Sequence, residues 1–455
     1  MARDATIVER PAPPKGRLSF PMLMLRMIGN PVASWGEDFY EEPLVRYRWL
    51  GLDTLFVMDP TLIQAILLDD VESYSRQPLN DDVFGAAIGG GLLNAEGHDW
   101  RWQRRLAAPL FRAEDVLAYV PIFAAACEPA LRRWSESPPG APQAIDKDMT
   151  RATLQALQDT VLGASLGDED RKLIEQSGAS FLAHSIWKVV LTSLNLPPSL
   201  PHPGSRAMVR EGRQLREVAE RVLAKARGSG GDDLLQRLVT ARDPATGDVM
   251  PDGLIVDNVV TFLIAGHETT SQALTWTLYL LALFPDWQEA VRQEVLGIAG
   301  NRPIGREDIA RLPLLDAVFQ EAMRLFPPAP VLMRRTLAPV TLGGIALGAG
   351  ATITIPIYVV HRHRRLWREP LSFDPSRFSA EAKATRHRCA YMPFGAGPRT
   401  CIGGSFAMLE GKTILATLLA RARFALPDGE TPTPFARITL RPKEGLKLNV
   451  TMLAD

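Results

Sequence analysis

Cysteine is nearly absent. Three thiols, Cys127, Cys389 and Cys401, in 455 residues cannot make a disulfide framework, and so sparse a set fits a reducing cytoplasm. No charge sign is in excess either. Lys+Arg and Asp+Glu are both 51, which argues against a general nucleic-acid binder, whose surface would be basic. Long hydrophobic runs are also missing. The apolar piece Phe20 to Ile28 is interrupted by Pro21 and Arg26 and is too short to span a bilayer. Met1 to Gly16 is polar, dotted with Pro11, Pro13 and Pro14, and lacks a signal-peptide layout. A soluble, cytoplasmic chain is therefore expected. There is no internal repeat, no low-complexity tract, no Gly-x-Gly-x-x-Gly after a strand and no Walker-type loop.

What is present reads as one packed body. Apolar content of 46% is ordinary for a globular protein. The length allows two or three domains, yet no linker divides the middle, so one large domain is also allowed. Residues 1–20 read as a flexible or extended lead-in. Leu44 to Met58 reads as a hairpin turning at Gly51 to Asp53, and Asp59-Pro60 as the N-cap and first position of a short helix. From about Ala107 to Leu283 the period is mostly helical. Strand-like stretches return at Val340 to Leu342, at Thr352 to Tyr358 and near the C-terminus. The proline-rich stretch Ser193 to Ser205 is either a plain surface loop or a mobile lid over an apolar entrance.

Asp252 to Leu283 has the pattern of one long buried helix, apolar nearly all round. At 1.5 Å per residue it would span roughly 48 Å. Its centre, Ala265-Gly266-His267-Glu268-Thr269-Thr270, is a poor helix centre and predicts a kink or widened turn. Thr261, Ala265 and Thr269 share one face. A small Ala265 leaves room over a flat cofactor, Thr269 presents a hydroxyl beside that room, and Glu268 can supply protons. His267 fills a variable position.

One cysteine stands out by its surroundings: Phe394-Gly395-Ala396-Gly397-Pro398-Arg399-Thr400-Cys401-Ile402-Gly403, running into a helix pattern at Ile402 to Leu419. A single thiolate without a second cysteine nearby suits an axial ligand of haem iron better than a zinc or iron–sulfur site. Exposed N–H groups and a helix N-terminus should favour the anion, with the iron completing its ionisation. The commonest fate of a lone cysteine is burial as an inert side chain, and Cys127 and Cys389 are read that way.

This Phe-x-x-Gly-x-Arg-x-Cys-x-Gly pattern resembles the haem-ligand loop of the cytochrome P450 family. Further motifs follow the same resemblance from about residue 40 onward. Ala265-Gly266-His267-Glu268-Thr269 is similar to the family's oxygen-activation motif. Glu321-Ala322-Met323-Arg324 with Phe373-Asp374-Pro375-Ser376-Arg377-Phe378 resembles its structural Glu-x-x-Arg and arginine set, so Glu321, Arg324 and Arg377 are assigned a folding role. Trp100 and Arg104 resemble its Trp-x-x-x-Arg helix. Arg334 and Arg399 stand where the resembled sequences often place propionate-binding arginines. The flanking Arg101 and Arg105 are either a solvated face or a docking patch for an acidic electron donor.

The resemblance implies a mainly α, triangular single domain with a small β region, spanning residues 21–455 after the lead-in. It implies haem b (iron protoporphyrin IX) held by Cys401, with Trp100, Arg104, Ala265, Arg334, Phe394, Arg399 and Gly403 around it. The implied reaction inserts one oxygen atom of O₂ into a lipophilic small molecule, by hydroxylation or epoxidation, with Glu268 and Thr269 catalytic. Leu92, Leu93, Ala265, Ala329 and Val331 would line the substrate pocket. Electrons would come from a ferredoxin or flavodoxin with its NAD(P)H reductase, and a monomer is expected. A peroxygenase, isomerase or dehydratase, or a haem carrier or sensor, are the alternatives. The intact Glu268-Thr269 pair speaks against both.

Overall fold

The computed structural model describes residues 8, 10–76, 79–162, 166–194, 196–197, 199–229 and 233–453. The chain is mostly helical, with its strands gathered in one five-stranded sheet and three small ones. The five-stranded sheet runs in the order Leu44–Trp49, Leu52–Val57, Thr352–Ile355, Leu332–Thr336, Tyr74–Ser75. Its only parallel pair joins Leu52–Val57 to Thr352–Ile355. A three-stranded sheet places Lys447–Met452 between Ala141–Ala144 and Ala422–Ala425. This is the mainly α fold with a small β region that the sequence implies.

The expected hairpin forms, but it turns one step earlier. Trp49 pairs with Leu52, so Leu50 and Gly51 make the turn, both at positive φ (48° and 81°). A two-residue turn of that hand matches the twist of the strands, which is why it wins over a Gly-Leu-Asp turn. Asp59 does cap its helix, accepting from the N–H groups of Thr61 and Leu62 at 2.9 and 3.0 Å. The strand expected over Thr352 to Tyr358 stops at Ile355. Pro356 cannot donate to a ladder, and the apolar run continues as a short helix, Ile357–Val360. The lead-in is docked where it is described: Val8 is buried and donates its N–H to the Leu371 carbonyl at 3.0 Å.

The long helix is Asp252–Leu283, and it packs against Ile145–Val161, Pro313–Leu325 and Gly404–Arg421. It remains α-helical throughout, so the expected widened turn is absent. The hydroxyls of Thr269 and Thr270 share the carbonyls of Ala265 and Gly266 with the backbone ladder instead of breaking it. Trp276 fixes the far half. Its ring stacks on Phe326 at 3.9 Å, and its Nε1 donates to the Leu440 carbonyl at 3.0 Å. The stretch Ser193 to Ser205 joins the helices Asp168–Ser193 and Ser205–Ser229. Leu196 and Leu200 are exposed in it, while Asn195 and Pro198 lie outside the described residues. Among the described residues, no helix is long and apolar enough to cross a membrane.

Candidate functional site

The site begins at the loop that carries Cys401. Gly395 and Gly397 hold φ of 73° and 75°, a region that favours glycine. A Cβ at Gly397 would run into the Leu67 carbonyl oxygen, so the loop is pressed directly onto the neighbouring backbone. The Cys401 N–H donates to the Phe394 carbonyl at 2.9 Å, closing the loop, and the Phe394 ring rests on Gly404 at the start of the helix Gly404–Arg421. Cys401 is accessible on one side and surrounded by protein on the others. Burial pushes its thiol up, while the Gly403 N–H and Arg104 pull against that rise. The Gly403 N–H favours the anion, as the sequence suggests, but the net shift is upward. Desolvation outweighs the N–H and the neighbouring cation.

Around the thiol the structure collects cations. Arg399 lies over the Trp100 ring at 4.2 Å, on the helix Gly97–Ala107 that also carries Arg104. Burial brings the Arg334 guanidinium down to about 9, and Arg76 and Arg399 push the same way. Burial and then Arg76 bring Arg399 down to about 10. Arg76 was not singled out from sequence. It is itself lowered by burial, with Glu96 opposing. Glu96 accepts the Arg76 N–H at 2.6 Å and the Ser75 hydroxyl at 2.7 Å. Three guanidiniums, those of Arg76, Arg334 and Arg399, thus share Glu96, while Arg104 faces Cys401, and Arg399 Nη1 is buried without a hydrogen-bond partner. Packing of this kind is stable when an anion completes it, and the two carboxylates of a haem have that chemistry.

The long helix supplies the opposite wall. Ala265 is accessible, and Gly266 and Thr269 are partly so, at the middle of a helix that is otherwise buried on both sides of them. The Thr269 hydroxyl donates to the Ala265 carbonyl at 2.8 Å, so its oxygen remains available to accept. Glu268 does not face Thr269. Its Oε1 accepts from the Thr439 hydroxyl at 3.1 Å and from Gln272 at 3.5 Å. His267 is buried, donates Nδ1–H to the Leu263 carbonyl at 2.5 Å, and is held low by burial. Glu410, also unforeseen, lies between the long helix and the one following Cys401. Burial raises its carboxyl well above the usual range, with Thr270 opposing. Leu92 is buried, with its N–H on Asn258 at 2.9 Å, and Leu93 is partly buried. Gly91 lets that loop press against the helix: a Cβ there would lie 2.7 Å from Thr261 Oγ1. Ala329 and Val331 are partly accessible in the segment entering the strand Leu332–Thr336.

Behind the loop, Glu321 and Arg324 are fully buried and joined through both carboxylate oxygens at 2.6 and 2.7 Å. Arg324 also donates to the carbonyls of His361, Pro370 and Ser372 at 2.8–2.9 Å. Arg377 is the looser third member, 3.6 Å from Glu321, with its Nη2 on the Glu369 carbonyl at 3.0 Å.

The cytochrome P450 profile matches residues 11–450. The chain belongs to the cytochrome P450 family. The chain is similar to rat cytochrome P450 4B1, at 31% identity over 98% of this chain and 90% of that protein. It is also similar to an Arabidopsis thaliana cytokinin hydroxylase, at 35% identity over 91% of this chain and 82% of the relative. A Streptomyces melanosporofaciens cyclooctat-9-en-7-ol 5-monooxygenase is 33% identical over 82% of this chain and 80% of its own. The crystal structure of the cytochrome P450DA heme domain superposes with a TM-score of 0.83 at 25% identity, covering 98% and 99% of the two chains. This P450 is an oxidoreductase, a monooxygenase of the kind its relatives are named for.

One further residue supports the P450 loop. His361 is fully buried and accepts the Met392 N–H on Nε2 at 2.9 Å, two residues before Phe394. Burial first, then Arg324 and Arg362, hold its imidazole down to about 3. In an unfolded chain histidine titrates near 6.5. Because the folded value is depressed, this contribution is present above about pH 6.5 and is lost as pH falls toward 3. At about pH 5 the loss from this one group should be ~2 kcal/mol. Urea midpoints at about pH 7 and about pH 5 check it, since the acid-dependent loss should shrink in His361→Asn.

Proposed function

We propose that this P450 is a haem-thiolate monooxygenase acting on a lipophilic small molecule by hydroxylation or epoxidation, within one domain spanning residues 21–455. The observation that carries the reading is the lone accessible thiol of Cys401 set beside a cluster of buried arginines with too few acids. Cys401 would ligate the iron of haem b, with Ala265, Phe394 and Gly403 lining the ring and Trp100, Arg104, Arg334 and Arg399, joined by Arg76, holding its carboxylates. When bound, the haem supplies the redox chemistry that splits O₂ and delivers one oxygen atom.

The chain's own residues do the rest. The closed Phe394–Cys401 loop holds the sulfur in place, and the Gly403 N–H steadies it. Thr269 receives and passes a proton at its hydroxyl, at the accessible stretch in the middle of the long helix. Glu268 is the acid of that route. It is parked on Thr439 and must turn from it to reach Thr269. Leu92, Leu93, Ala265, Ala329 and Val331 offer apolar contact and exclude water, which favours a lipophilic substrate. The chain carries no nucleotide-binding signature, so electrons are assigned to a ferredoxin or flavodoxin with its NAD(P)H reductase. Its free thiols fit a cytoplasmic protein, and it is read as a monomer.

The deciding test is the absorption spectrum of the dithionite-reduced protein under carbon monoxide. A strongly red-shifted Soret band is expected. A band at the histidine-ligated position would remove Cys401 as ligand, and absence of haem from cofactor-replete protein would end the reading. Thr269→Ala should keep haem and substrate binding but divert electrons to hydrogen peroxide. Product per reducing equivalent should fall by up to about 10²-fold, the lower range for a positioned proton transfer. Full coupling in that variant would remove Thr269 from the route.

A further inference from the structure

A second polar cluster lies outside the haem site and is not used by it. Arg362 is 1% exposed, yet its Nε and Nη2 have no hydrogen-bond partner. Its remaining Nη1 makes only a long contact, 3.4 Å, to the Tyr358 carbonyl. Nε and Nη2 form the edge on which a guanidinium takes a carboxylate or phosphate through two parallel bonds. Arg324 uses that same edge on Glu321 in this protein, at 2.6 and 2.7 Å. In Arg362 the edge is buried and unmatched, and a buried donor without an acceptor is costly.

Arg362 lines a cavity of about 250 Å³ together with Arg10, Tyr40, Arg364, Glu369 and the stretch Pro370, Leu371, Ser372. Its guanidinium carbon sits 3.8 Å above the Tyr358 ring, and the Tyr358 hydroxyl is also buried without a partner. Arg10 lies 4.1 Å over the Tyr40 ring. Burial pushes the Tyr40 hydroxyl up to about 12, so it remains a donor at any working pH. The acids around the cavity are committed to the rim. Glu37 takes Arg10 and Arg364, each at 2.6 Å, and Glu41 takes Arg364. Glu369, held at φ 48°, also lines the cavity and is the acid in its wall. Three guanidiniums, those of Arg10, Arg362 and Arg364, against the one carboxylate of Glu369 line the cavity, so cations outnumber acids there.

We propose that this cavity is an oxyanion site, in which a carboxylate or phosphate group seats on the Nε–Nη2 edge of Arg362 between Arg10 and Tyr40. It lies in the segment that clamps the haem loop from behind. The carbonyls of Pro370 and Ser372 in its wall accept from Arg324, and that of Glu369 accepts from Arg377. An occupant would add a tie to that clamp without touching the haem pocket. The proposal is independent of the haem-thiolate reading and fails separately from it.

The test is thermal unfolding of the purified holoenzyme in inorganic phosphate, in acetate and in chloride, at matched pH and ionic strength. A saturable rise in melting temperature with phosphate or acetate over chloride is expected, and which of the two acts identifies the anion class. Arg362→Met should weaken the apparent affinity by about tenfold or more, the worth of a charge-assisted pair of bonds. Arg10→Ala and Tyr40→Phe should weaken it less. If Arg362→Met does not fold, those two rim variants decide alone. Equal melting in the three salts, or a phosphate or acetate effect that survives in the folded variants, would overturn the proposal and leave the cavity to water.

Discussion

Cys401→Ala is expected to abolish monooxygenase turnover while leaving the fold intact. The side chain is accessible on one side, and alanine is a small, near-isosteric replacement for a thiol. No other thiol can stand in. Cys127 is fully buried, and burial raises its thiol far out of the working range. Cys389 is buried as well, and its thiol is raised by the same cause. The loss should exceed the about 10–100-fold typical of removing a mere supporting partner of a ligand. Carbon monoxide spectra and product formation, with far-ultraviolet circular dichroism as the check on folding, measure it. Substantial turnover by a folded Cys401→Ala protein would show that the thiol is not the ligand.

The second large effect is on stability. Arg324→Met should cost on the order of 3–5 kcal/mol, because it leaves the Glu321 charge buried without its partner. The arginine also serves the carbonyls of His361, Pro370 and Ser372, so three acceptors lose their donor in the same change. Arg377 cannot compensate, since it approaches Glu321 only to 3.6 Å and is already engaged with Glu369. Glu321→Met should be comparably damaging. The double variant should cost less than the sum of the two, because the second change removes a charge that the first has stranded. Urea unfolding of the two single variants and the double variant reads this directly. Strict additivity would mean that the two residues do not act as a pair.

Sequence reading went furthest where chemistry dictates spacing. A ligand loop must place its glycines, arginine and cysteine in fixed order, and the pair Glu321 and Arg324 must share a helix face. Both were visible for that reason. The long helix was legible from its apolar pattern, Asp252 and Leu283 included as its ends. What stayed hidden depends on contacts between distant segments. Arg76 joins the cation cluster only because the short strand Tyr74–Ser75 pairs with the strand that carries Arg334. Thr439 meets Glu268 across 171 positions, and His361 meets Met392 across 31. Glu410 sits in an ordinary helical pattern, and only the packing of two helices makes it a buried acid. The turn at Leu50 and Gly51 was missed for a local reason: the twist of the strands decides which residues take positive φ.

Asn30 ties two remote parts of the chain together, donating to the Pro434 carbonyl and accepting the Ala436 N–H at 2.9 and 3.0 Å. Leu440 likewise bonds both Trp276 Nε1, through its carbonyl, and the Pro328 carbonyl, through its N–H. In order of synthesis these partners leave the ribosome after the whole loop around Cys401. The seam around Trp276 and Asn30 therefore cannot close until residues 434–440 have been made, so a chain interrupted before them would carry the Cys401 loop without the segment that seals its core.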